Sequence, residues 1–77
     1  MDTEKIKNRA LTKLMICFSD EKVRYFYSLD SKANIERKNQ MPGIYKLEKM
    51  LFGQFSGKWS KAILFDNLTK EQIKNYD

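Results

Sequence analysis

The chain has 77 residues and a mass of 9.2 kDa, which is room for one small domain and too little for a two-domain enzyme or a solenoid of several repeats. Hydrophobic residues make up 42% and charged residues 32%, and five Phe, four Tyr and one Trp give enough apolar surface to build a core rather than a disordered tail. Fifteen basic against ten acidic residues leave a net charge of +5, which draws the protein to polyanions, and the absence of histidine excludes Ser-His-Asp and Cys-His catalysis and Cys/His zinc sites within this chain.

Residues 1–10 read as a charged lead-in, in which Asp2 is placed to cap a short turn through Lys5, Ile6 and Lys7. Leu11 to Ser19 forms a first strand and Lys22 to Asp30 a second, with Asp20 and Glu21 as the turn between them. A two- or four-residue loop pairs Phe18 with Val23, Ile16 with Tyr25 and Leu14 with Tyr27. That register puts Leu14, Ile16, Phe18, Val23, Tyr25, Tyr27 and Leu29 on one face, and Lys13, Met15, Cys17, Arg24, Phe26 and Ser28 on the other. A three-residue loop or a bulge would invert this parity.

Residues 31–41 are polar, and we expect an exposed basic loop with room for one helical turn, anchored by Ile35 alone. Pro42 suits the first turn of a helix. From there Ile44, Leu47, Leu51 and Phe55 make an apolar stripe, widened by Tyr45 and Phe52. Gly53 falls inside this helix, and Ser56-Gly57 ends it with Gly57 as a left-handed cap. Trp59 to Asp66 is the third strand. Thr69, Gln72, Leu68 and Ile73 then spell a capping box and staple, which predicts a short C-terminal helix to about Tyr76.

The expected fold is therefore α+β in the order β-β-α-β-α. A three-stranded sheet of order 2-1-3 carries the main amphipathic helix on one face and a short C-terminal helix elsewhere. The most apolar strand, the first, belongs in the centre. The sheet face away from the main helix still carries Met15, Cys17, Phe26 and one parity of the third strand, either Trp59, Ile63 and Phe65 or Ala62 and Leu64. Such a face calls for cover by the C-terminal helix, a second copy of the chain or a partner.

Little here points to catalysis or to a bound metal or cofactor. Cys17 sits among apolar residues and reads as a packing thiol. Glu36, Glu48, Asp66 and Glu71 are scattered singly. Gly53 and Gly57 lack the Gly-Lys-Ser/Thr ending of a phosphate loop. The run Lys22 to Tyr27 interleaves basic and aromatic residues, as single-strand RNA platforms do, but lacks the glycines of the RNA-recognition-motif signature. The register above also buries Tyr25 and Tyr27, so a core-and-edge strand is the preferred reading. No apolar run reaches the ~20 residues of a membrane span, and no secretory leader is evident. A single cysteine fits a reducing cytoplasm.

These features predict a non-enzymatic protein that binds nucleic acid or a nucleic-acid-handling protein machine, of the accessory or inhibitor type carried by phages and mobile elements. Lys32, Arg37, Lys38, Lys46, Lys49, Lys58 and Lys61 would supply electrostatic attraction, and Met15, Arg24, Phe26 and Trp59 the contact anchors. Two alternatives differ in kind. One is a homodimeric adaptor whose second sheet face closes on itself. The other is a small ribosome-dependent RNase toxin using residues such as Arg24 and Tyr76.

Overall fold

The computed structural model describes residues 9–76, so the reading of Asp2 as a cap lies outside the described residues. Four strands and two helices follow one another: β1 (Thr12–Phe18), β2 (Val23–Tyr27), α1 (Lys32–Arg37), α2 (Met41–Phe52), β3 (Trp59–Asp66) and β4 (Gln72–Tyr76). They make an antiparallel sheet of order β2-β1-β3-β4. The central place of β1 and the parallel sense of β2 and β3 on either side of it agree with expectation. The sheet has four strands instead of three, however, and the predicted C-terminal helix is β4, which makes β3 an internal strand.

The predicted capping box does not form: the Thr69 hydroxyl accepts the Glu71 N–H at 3.3 Å, and the chain before β4 makes a single turn capped from further upstream. Asp66 is the cap: its Oδ1 accepts the backbone N–H of Leu68 (2.8 Å) and of Thr69 (3.0 Å). Lys70 N–H then closes one turn on the Asp66 carbonyl at 2.8 Å. Lys70 itself adopts a left-handed φ of 66°, which reverses the chain. A helix of so few residues does not nucleate alone, whereas the free edge of β3 offers a ladder of backbone partners.

The β1–β2 turn sets the parity of the sheet. Ser19, Asp20 and Glu21 form a three-residue loop closed by Phe18 N–H on the Lys22 carbonyl at 2.8 Å, with Glu21 left-handed at φ 71°. Cys17 therefore faces Val23, Ile16 faces Arg24, Met15 faces Tyr25 and Leu14 faces Phe26. This is one residue away from the expected register, so Phe26 turns toward the helix, and Val23, Tyr25 and Tyr27 turn away from it.

The core lies between the sheet and α2. Leu14, Ile16, Leu47, Leu51, Ala62, Leu64 and Tyr76 are buried there, with Phe18, Phe26, Ile44, Met50, Phe55 and Trp59 packed around them. Strand β3 thus presents Ala62 and Leu64 to the helix. Helix α2 stops at Phe52, with Gly53 as its C-cap rather than an internal residue. The Trp59 indole N–H donates to the Leu51 carbonyl at 3.1 Å and satisfies one of the carbonyls the helix end leaves open. Gly57 has the predicted left-handed conformation, φ 75°, and turns the chain into β3.

Helix α1 occupies most of the predicted 31–41 loop. The Ser31 hydroxyl accepts the Asn34 N–H at 3.2 Å, and Lys38 ends the helix at φ 56°. At the start of α2, Gly43 is buried against the end of β2. A Cβ there would lie 2.6 Å from Asp30 Oδ1 and 2.7 Å from Ser28 Cβ. The Ser28–Asp30 corner is tied to β1: Asp30 Oδ2 accepts the Leu11 N–H (2.9 Å) and the Ser28 hydroxyl (2.6 Å), and Ser28 Oγ accepts the Thr12 N–H (3.1 Å).

Candidate nucleic-acid interface

The three registers define what the open face of the sheet carries. Its side chains fall in rows across the strands: Tyr27, Lys13, Phe65 and Gln72; Tyr25, Met15, Ile63 and Asn75; Val23, Cys17 and Lys61. No acidic residue occupies any of these positions. Tyr25 and Val23 remain about half exposed, at 52% and 50%. The Lys13 ammonium sits between two rings, 5.3 Å from the Tyr25 centroid and 5.5 Å from that of Phe65. Aromatic contact in this range attracts a cation without neutralising its charge. Among the described residues the only ion pair is Lys74 with Glu48, so Lys13 and Lys61 keep their charges available.

Among the described residues, the open face thus combines aromatic surface with cations and carries no carboxylate in its three rows. Its chemistry follows from the one-residue register. Had Phe18 paired with Val23, Tyr25 and Tyr27 would have gone to the core.

The predicted site residues do not form a single patch. Met15 and Lys61 lie on the open face. Phe26 and Trp59 lie on the helix side, where Phe26 meets Phe55 (centroids 5.3 Å apart) and Trp59 meets Phe52 (5.9 Å), so neither serves as an anchor on the open face. Arg24 shares the helix-side parity, and it lines a cleft with Lys58. Lys32 and Arg37 are on α1 with Lys38 at its end, and Lys46 and Lys49 are on the exposed side of α2. The residues missed from sequence are Lys13, Tyr25, Tyr27, Ile63 and Phe65. The signal that would have brought Tyr25 and Tyr27 to this face is the three-residue Ser19-Asp20-Glu21 loop, whereas Lys13 was placed there by its strand parity and Ile63 and Phe65 depended on the parity of β3.

Tyr76 and Arg24, the pair the toxin reading needs, sit on opposite edge strands of the same row, roughly 14 Å apart at ordinary strand spacing. The Tyr76 hydroxyl donates to Glu48 Oε2 at 2.8 Å. Burial first, and the Glu48 carboxylate second, push its ionisation far above the ordinary phenol range. At Asp66 the shift is downward, chiefly through the Thr69 backbone N–H. Among the described residues, no group of three or more His, Cys, Asp or Glu is gathered as a metal site would need, and no helix is long and apolar enough to cross a membrane.

No family model, curated protein or solved structure matches the chain.

Proposed function

We propose that the protein binds single-stranded nucleic acid on its open sheet face, alone or as part of a nucleoprotein machine, and that it does so without catalysis. The observation that carries this reading is the Lys13 ammonium held between the Tyr25 and Phe65 rings, in rows that hold no carboxylate among the described residues. Single-stranded nucleic acid asks for this combination: π-faces on which bases stack, and cations for the backbone between them. Tyr25 is the exposed stacking residue, Tyr27 and Phe65 extend the platform, and Lys13 and Lys61 supply the charge. Lysines rather than arginines dominate the chain, which favours backbone attraction over base-specific forks.

The test is anisotropy of a labelled 12-nucleotide single strand at two salt concentrations. Tyr25→Ala should weaken binding roughly tenfold, in line with about 1–3 kcal/mol per stacked base. Lys13→Ala should weaken it and lower the salt slope by about one. Absent binding at low salt, or binding indifferent to both substitutions, would count against the proposal.

A second reading rests on the middle row of the same face, where Tyr25, Met15 and Ile63 are contiguous. Such a row could close on a second copy of the chain. Sedimentation separates the two: a mass of twice 9.2 kDa without nucleic acid would support the homodimeric adaptor.

A further inference from the structure

A second basic feature lies on the helix side of the sheet, apart from the open face. A cleft of about 170 Å³ is lined by Phe18, Asp20, Lys22, Arg24, Phe55 and Lys58. It joins two distant stretches of chain, the β1–β2 turn and the connection between α2 and β3. Backbone bonds fix that junction: Phe18 N–H to the Lys22 carbonyl (2.8 Å), Ser19 N–H to the Lys58 carbonyl (2.9 Å) and Lys58 N–H to the Phe55 carbonyl (3.0 Å). The left-handed Gly57, φ 75°, allows the approach.

We infer that this cleft is a binding site for a phosphomonoester, the terminal phosphate of a nucleic-acid strand or the phosphate of a free nucleotide. Three basic residues, Lys22, Arg24 and Lys58, and one acidic residue, Asp20, line the cleft, so its lining carries a net charge of +2. Asp20 turns its Oδ1 to the Lys22 backbone N–H at 3.1 Å, which commits part of that carboxylate to its own turn. None of the three cations belongs to an ion pair among the described residues. The Phe18 and Phe55 rings, edge to face at 5.2 Å, give the cleft an apolar wall, which strengthens charge attraction beside it. Arg24 offers a fork for two phosphate oxygens, and Lys22 and Lys58 act as point charges. A phosphomonoester carries about −1.5 to −2 at neutral pH and matches the cleft, whereas an internal phosphodiester carries a single charge.

The site does not depend on the open face, and the experiment keeps the two apart. Amide NMR spectra are followed through titrations with thymidine 5′-monophosphate, with thymidine, and with sodium chloride at matched ionic strength. Saturable shifts at Ser19, Lys22 and Lys58 with the monophosphate alone are expected. Lys58→Ala and Arg24→Ala should each weaken that response roughly tenfold, the scale of a lost charged hydrogen bond. Lys58 is exposed, so its variant keeps the wild-type spectrum elsewhere and guards against a folding artefact. Tyr25→Ala should leave the response unchanged, even if single-strand binding is lost. Equal shifts with thymidine or with salt, or an undiminished response in Lys58→Ala, would overturn the site. A 5′-phosphorylated strand shifting these amides at lower concentration than the mononucleotide would identify strand ends as the source, and equal concentrations would identify a free nucleotide.

Discussion

Single residues decide several features of this molecule, and Gly43 is the clearest. A methyl group there meets Asp30 Oδ1 and Ser28 Cβ at distances that real Cβ atoms essentially never show, and both neighbours are held by bonds from the Leu11 and Thr12 N–H groups. Gly43→Ala should therefore cost about 1–3 kcal/mol of stability, as overpacking does, and urea unfolding would read it. Tyr76 makes a different prediction. Its phenol ionises more easily in the unfolded chain, with the ordinary value of 10.0, than in the folded one. The stability this contributes is complete below pH 10 and is lost as the pH climbs above it. The stability gap between wild type and Tyr76→Phe should therefore narrow above pH 10, in thermal unfolding at a series of pH values. A gap that widens or stays constant would show that the hydroxyl is not buried against Glu48.

At the scale of elements, local pattern and tertiary choice part company. The strand β1 was legible because Leu14 to Phe18 is a continuous apolar, β-prone run, and β3 because Ala62 to Phe65 is another. The helix α2 was legible from Ile44, Leu47 and Leu51 at helical spacing after Pro42. What failed was set by backbone conformation rather than by side-chain pattern. Glu21 and Lys70 both take left-handed φ values, at 71° and 66°, without the glycine or asparagine that announces such turns. The first shifts the β1–β2 register by one residue, and the second converts a helix start into a hairpin. The candidate site inherited the first error, since Tyr25 and Phe26 exchange faces with it. Glu21→Gly should relieve the left-handed strain and stabilise the protein by about 0.5–1 kcal/mol, measured by denaturant midpoint. A destabilised variant would mean that Glu21 is not the left-handed residue of a three-residue loop.

At the scale of the whole molecule, the +5 charge is divided among separate surfaces. Lys13 and Lys61 serve the open face, while Lys22, Arg24 and Lys58 converge on the cleft. Lys32, Arg37 and Lys38 belong to α1 and its C-cap, and Lys46 and Lys49 to the exposed side of α2. A long-range field of this kind speeds encounter with any polyanion, and the open face adds to it a cation held between two rings. The most direct test of that distinction is an amide NMR map of the protein with a single-stranded 12-nucleotide oligomer lacking a terminal phosphate. Shifts concentrated at Lys13, Met15, Tyr25, Ile63 and Phe65 are expected, with β1 and β3 moving together. Shifts confined to the lysines of α1 and α2, or none at low salt, would contradict binding on the open face.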